Sequence, residues 1–290
     1  MANITAADFS HVRRDINVES MRVIPVKRWG RVATSVIVAL LMLQMTYSLA
    51  TNPFIDWGIV NDFIFSPAIL GGLWATMEIS IISVVLSLVI SIIIAVMRMS
   101  ESKILKAVAF GYVFFFRGIP LIVLLILVGN IGLFVRTIII GIPFTDIVFY
   151  SVPSNEVFTP FVASIIGLSL VASAYMSEIV RGGLLSIDRG QTQAAKALGM
   201  SSRQSLRYIL LPQAMRVIVP PLGNEFITTI KMSALVSVIA GGDLLTVAQS
   251  ISGVNYRTIE LLIVATIWYL VVVAISSVIQ RYVEDAIAER

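Results

Sequence analysis

The chain has no cysteine and a single histidine, His11, in 290 residues. That excludes a disulfide framework and a thiolate metal site, and it leaves no HExxH zinc helix. No glycine is followed by lysine, so a Walker A phosphate loop (GxxxxGK[ST]) is absent. The run Ala240-Gly241-Gly242-Asp243 lacks the first glycine of a GxGD aspartyl centre. Charge is scarce as well: Asp, Glu, Lys and Arg make up 13% of the residues, too few to solvate a globular surface of this size. There is no internal repeat, no low-complexity tract and no polar stretch long enough for a soluble domain. These gaps argue against an enzyme built within the chain.

What is abundant is hydrocarbon. Apolar residues reach 58%, with a mean hydropathy of +0.94, well above ordinary soluble composition. A bilayer core takes about 20 apolar residues per helix. The runs Val32–Ala50, Ile79–Met97, Gly118–Val135, Phe161–Ser177 and Leu261–Ile279 meet or approach that length. A sixth, Met215–Gly241, is interrupted by Glu225 and Lys231. The expectation is an all-α polytopic membrane protein with about six transmembrane helices.

Orientation follows from the cations, which mark the cytoplasmic side. Residues 1–31, 98–106 and 181–216 with the C-terminal tail hold 17 of the 21 Lys and Arg. The alternate segments 51–73, 136–158 and 242–257 hold only Arg136 and Arg257. Six spans with both termini inside fit, and they explain the net charge of +4 better than an anionic partner does. About 31 mostly polar residues precede the first run, so no cleavable signal is expected. The division expected is a cytoplasmic tail (1–31), an extra N-terminal span with an outer segment (32–72), and a core (73–290). Segment 52–72, with Pro53, Trp57 and Pro67, reads as interfacial; 138–159 reads as an outer loop.

One polar stretch fits no lipid: RGQTQAAKALGMSSRQSLRYILLPQ, Arg189 to Gln213. Asp188 is placed to cap a short helix over Arg189–Leu198, and Gly199 to end it in the left-handed region. Ser201 and Gln204 have capping-box spacing and open a second helix through about Leu211, where Pro212 breaks the element and begins the next span. The small residues Ala194, Ala195 and Ala197 allow a neighbouring backbone to approach. A helical hairpin over about 186–212 is therefore expected, either as a plain connection or as a docking element.

Ionisable groups inside spans are functional candidates. Glu225 and Lys231 are six residues apart, about 240° around a helix of 3.6 residues per turn, so they do not share a face. Glu225 and its neighbour Asn224 either face a path through the membrane or hold another helix; Lys231 either serves the path or snorkels to the outer interface. Glu178 and Arg181 have i,i+3 spacing for an ion pair that anchors the hairpin. Arg117, after Phe114-Phe115-Phe116, is expected to reach the inner headgroups. Serine and threonine in spans satisfy backbone or neighbouring helices, and Gly71-Gly72 and Gly182-Gly183 allow close packing or a hinge.

The hairpin pattern, Gln193-Ala194-Ala195, then Gly199, then Ile209-Leu210-Leu211-Pro212, resembles the EAA loop of membrane subunits of ATP-binding cassette importers. AYMSEIVRG (Ala174–Gly182), LPQAMR (Leu211–Arg216), PLGNE (Pro221–Glu225), LVSVI (Leu235–Ile239) and RGIP (Arg117–Pro120) are similar to the polar amino-acid uptake permeases. The resemblance runs from about Gly72 to the C-terminus. Three positions depart from the family: Gln193 stands for its usual Glu, Ile119 for Thr, and Ala234 for Ser or Thr. The first exchanges an ionic contact for a neutral hydrogen bond.

The resemblance implies a type I importer permease fold in the bacterial cytoplasmic (inner) membrane. It implies that Gln193, Ala194, Ala195, Gly199, Leu211 and Pro212 couple to a separate ATPase subunit, with Asn224, Glu225 and Lys231 along the path or its gate. Arg117 gains an inter-subunit role. It further implies a second permease chain, identical or sister, an outer solute-binding protein, surrounding lipid and no nucleic acid. No cofactor is expected in this chain, because ATP and Mg belong to the partner. The competing expectation is an ion-coupled amino-acid carrier using Glu225, which gives no reason for the hairpin.

Overall fold

The computed structural model describes residues 29–142 and 147–288. The chain divides into two compact units, Met1–Phe54 and Ile55–Arg290. The described part of the first is one helix, α1 (Trp29–Ala50), long and apolar enough to cross a membrane. The Thr34 and Thr46 hydroxyls donate to carbonyls four residues back, at 2.9 Å each, so neither is left unsatisfied in hydrocarbon.

The second unit begins with α2 (Trp57–Ile64), capped by Asp56, and α3 (Pro67–Met99), capped by Ser66 with Pro67 in its first turn. Pro67 suits that position because its missing N–H is an orphan there anyway. Then follow α4 (Lys103–Gly118) and α5 (Leu121–Gly129). A strand pair, β1 (Thr137–Gly141) with β2 (Val148–Pro153), is antiparallel with Thr137 opposite Pro153. After α6 (Ser154–Val157) come α7 (Pro160–Leu185), α8 (Arg189–Ala197), α9 (Ser202–Ser205) and α10 (Leu211–Met232). The chain closes with a 3₁₀ stretch (Ser233–Ile239), α11 (Leu244–Asn255) and α12 (Thr258–Ala288). Five helical stretches qualify as spans, or six if the bent pair α4–α5 is one.

The core is the α3–α7 seam. Thr76, Ser80, Ser83, Ser87 and Ser91 are all buried, and their spacing of three and four keeps them on one stripe of α3. Ser83 Oγ donates to the Ile165 carbonyl (3.3 Å), Ser87 Oγ to that of Ser169 (3.1 Å), and Ser169 Oγ back to that of Ser83 (3.2 Å). Small residues let the backbones come close enough for these bonds, which is how membrane helices associate without a hydrophobic drive. Gly167 extends the seam: a Cβ there would lie 2.7 Å from Leu125 Cδ2, so α5 packs directly on α7.

Gly183 and Gly72 confirm the close-packing expectation for one member of each glycine pair. A Cβ on Gly183 would lie 2.2 Å from Ile218 Cγ1, and one on Gly72 3.0 Å from Leu244 Cα, whereas Gly71 and Gly182 face open space.

Several expectations change. The apolar run Gly118–Val135 is not one straight span: α4 and α5 meet at 100°. Pro120 removes a backbone donor and restricts Ile119 to extended geometry, φ −80° and ψ 133°. Residues 55–72 pack with the core. Val60 and Ile69 share a buried cluster with Leu244, Leu261 and Val264. Asp56 N–H donates to Glu260 Oε1 (3.3 Å), and Trp268 Nε1 to the Ile64 carbonyl (2.7 Å). Outer segment 138–159 holds a strand pair as well as irregular chain. Pro212 does not break its helix: Ser202–Ile239 runs as one 38-residue helical stretch.

The contrast within Gly182-Gly183 is testable. Gly183→Ala overpacks buried Ile218 and is expected to cost about 1–3 kcal/mol. Gly182→Ala only removes glycine's helix penalty and should gain about 0.5–1 kcal/mol. Thermal unfolding of the two variants in detergent, against the parent, reads both signs; equal effects would refute the packing.

Candidate coupling hairpin and span charges

The hairpin forms by local chemistry. Asp188 accepts from Gly190 N–H at 2.6 Å and caps α8. At the other end Gly199 N–H donates to the Lys196 carbonyl (2.9 Å) and Met200 N–H to that of Ala195 (3.1 Å). That is a Schellman closure, with its left-handed residue at Gly199, φ +74°. Ser201 and Gln204 close the capping box from both sides, at 2.9 and 3.3 Å.

α9 then opens into a π turn, Leu206–Leu210, in which Leu211 N–H reaches the Leu206 carbonyl. A proline ring in an α-helix collides with the carbonyl four residues back. The wider turn just before Pro212 moves that carbonyl aside, so the second arm continues into α10 without a break. From Ser202 to Glu225 is thus one rod of about 35 Å. It is held near its start by Gln213 Nε2, which donates to the Ile209 carbonyl (3.0 Å) and reaches Gln191 Oε1 of α8 (3.4 Å).

The three alanines part company. Ala195 is fully buried, while Ala194, Ala197 and Gln193 are exposed. Ala195 therefore serves the hairpin's interior rather than a docking face. Leu198 is 78% exposed at the hairpin tip, and Leu211 and Pro212 are exposed on the second arm. Sequence reading passed over it because one leucine in an alanine-rich helix carries no periodic signal.

The span charges also separate. Lys231 and Asn224 are exposed and Glu225 half-buried. The Glu225 carboxylate has no ion-pair partner among the described residues; its backbone carbonyl accepts from Thr229 Oγ1 at 2.9 Å. Asn224 Oδ1 accepts from Gln280 Nε2 (3.2 Å), which also reaches the Pro220 carbonyl (3.3 Å), so Asn224 joins α10 to α12.

Glu178 pairs with Arg181 as expected, at 2.7 Å, and also with Arg98 at 2.9 Å, tying α3 to α7 just before the hairpin. Arg117 lies over the Tyr175 ring, 4.9 Å from its centroid. Asp243, which sequence reading did not single out, is fully buried. It caps α11 by accepting from Leu245 N–H (3.0 Å) and from the Thr246 hydroxyl. Burial pushes its carboxyl above the usual value, against the hydrogen bonds that pull it down.

Residues 87–289 match the family described as binding-protein-dependent transport system inner membrane component. The chain belongs to this family. Among its relatives, the permease is 35% identical to the arginine transport system permease protein ArgU of Corynebacterium glutamicum, over 90% of this chain and 81% of that one. It is 33% identical to the L-cystine transport system permease protein TcyB of Bacillus subtilis, over 82% and 93%. A crystal structure of an amino acid ABC transporter with histidines matches at a TM-score of 0.64 and 34% identity, covering 76% of this chain and 94% of that one. The MetNI methionine transporter, inward facing, shares the fold at 0.59 and 21%. The chain is an inner-membrane permease of the type I importer fold, a transport subunit and not a classical enzyme.

Substitutions at three residues test this geometry. Gly199→Val forces a β-branched residue to φ +74° in a place with open space around it. The expected cost is about 1–2 kcal/mol from handedness alone, read as faster amide exchange at Gly199 and Met200, with Gly199→Asn nearer the parent. Glu178→Gln removes the anion shared by two arginines and should destabilise by about 1.5–3 kcal/mol. Glu225→Gln breaks no ion pair and should leave the melting temperature unchanged or higher.

Proposed function

We propose that this chain is half of a permease pair that imports polar amino acids by alternating access. A partner ATPase would drive it through the α8–α9 hairpin. The observation that carries the reading is the unbroken rod from Ser202 through Glu225. Whatever moves the hairpin moves the first turns of α10 with it, as far as Pro220 and Pro221, which immediately precede Asn224 and Glu225. The other arm leads into α7, whose Gly183 packs against Ile218 of α10, so a push at the tip is shared by two spans.

Gln193, Ala194, Leu198, Leu211 and Pro212 form the exposed surface that enters a groove of the ATPase; Ala195 and Gly199 set its shape. Asn224, Glu225 and Lys231 line or gate the path. Glu225 and Lys231 offer opposite charges to the ammonium and carboxylate of an amino acid. ATP and Mg are bound by the partner, since this chain has no Walker A lysine. Both termini, and the hairpin, lie on the cytoplasmic side by the distribution of Lys and Arg, and an outer binding protein delivers the solute. The relatives' names (arginine, cystine, glutamine) support a polar amino acid as cargo.

The test is co-purification from native membranes. The intact chain should retain an ATPase subunit, and Leu198→Arg should lose it while its melting temperature stays within a degree or two. Uptake should vanish with the ATPase and resist ionophores. An intact, folded chain that holds no ATPase, with uptake that collapses under ionophore, would make it an ion-coupled carrier.

A further inference from the structure

Three guanidinium groups converge where α3, α4 and α7 meet, at the hairpin end of the bundle. Arg98 and Arg181 share the one carboxylate of Glu178. Arg98 also faces the Phe110 ring at 5.6 Å, and Arg117 faces Tyr175. Arg117 has no carboxylate within ion-pair distance among the described residues. Three cations against one anion leave the cluster with an excess of two positive charges; two of those cations, Arg98 and Arg117, line an open cavity of about 460 Å³ in which Glu178 is the one anion. Its walls are Arg98, Phe110, Phe114, Arg117, Tyr175 and Glu178.

The helix that walls it has its own bias. α4, KILKAVAFGYVFFFRG, has three cations and no acid. It buries only Ala109 and Val113 and exposes Ile104, Val108, Phe110, Phe114 and Phe115. It turns 100° from α5, so the pair cannot both run along the membrane normal. A cationic helix with large exposed apolar groups is suited to lie in the interface, cations at the headgroups and rings among the acyl chains.

We propose that this cavity is a binding site for the phosphodiester headgroup of an anionic phospholipid. Arg98 and Arg117 hold the phosphate, and the acyl chains run over Phe110 and Phe114. Charge complementarity selects the class: the excess of two cations attracts a net-negative headgroup, and a choline headgroup would set its own cation against them. The aromatic walls favour a ligand with hydrocarbon attached over a soluble anion. A lipid seated there would stabilise the α4–α7 contact close to the hairpin's first arm. The site does not depend on which amino acid is carried.

The experiment uses the intact importer, delipidated in detergent and titrated with phosphatidylglycerol or phosphatidylcholine of matched chains, with bound lipid counted by native mass spectrometry. Phosphatidylglycerol should be retained about tenfold over phosphatidylcholine, and Arg98→Gln with Arg117→Gln should abolish that preference. Arg136→Gln, far along the chain in the strand-pair segment, should preserve it. If the double variant fails to fold, Arg117→Gln alone, which breaks no ion pair, should still lower the preference severalfold. An unchanged preference in a folded variant overturns the proposal. So does equal competition by inorganic phosphate or glycerol phosphate, which would make this a soluble-anion site. A cross-link from Phe114→Cys to another subunit in the delipidated importer would also overturn it, because protein would then fill the cavity.

Discussion

Close backbone contact between α3 and α7 is the constraint from which the rest of the permease follows. In a hydrocarbon solvent burying leucine gains little; what can be gained is van der Waals packing and hydrogen bonds that lipid cannot offer. The serine stripe supplies both, because a hydroxyl is small enough to permit approach and polar enough to reward it. With α7 fixed on α3, Gly167 admits α5, Gly183 admits α10, and Gly72 admits the start of α11. Each is a place where one missing Cβ decides how near a neighbour can stand.

On that frame, rigidity is distributed with a purpose. The hairpin is closed at every turn by backbone and side-chain bonds, and it continues through a π turn into α10 rather than ending at Pro212. Pro220 and Pro221 lie inside α10, so backbone donors are missing midway along the polar span, beside Asn224 and Glu225. The helix is closed by local bonds at the hairpin and short of backbone donors midway along α10. Half-buried Glu225, with no ion-pair partner among the described residues, lies just beyond those prolines, where an unpaired carboxylate is costly.

How much of this was legible in the sequence depends on the range of the physics involved. Asp188, Gly199 and the Ser201–Gln204 box act over three or four residues, and each behaves as its spacing says. That Glu225 and Lys231 do not share a face followed from 3.6 residues per turn. Run length, by contrast, carries no direction, so the 100° turn at Pro120 was invisible in the apolar run that follows Arg117. Pro212 looked like a stop because a single proline usually is one; the wider turn that accommodates it has no sequence signature. Ala194 and Ala195 are chemically identical, and only the packing of the second arm decides which is buried. Arg98 and Glu178 are 80 residues apart, beyond any local rule.

The shortness of α5 has a consequence for the membrane itself. Nine residues rise about 14 Å, less than half of a hydrocarbon core of about 30 Å, and α4 lies across the direction that would lengthen it. α5 packs on full-length α7 and on the 3₁₀ stretch Ser233–Ile239, so wherever its outer face meets lipid the bilayer would thin or lipid would tilt to follow the surface. Mismatch of this kind costs fractions of a kcal/mol per ångström. The permease is thereby tuned to bilayer thickness, and the acyl-chain length of the host membrane becomes a variable in its energetics.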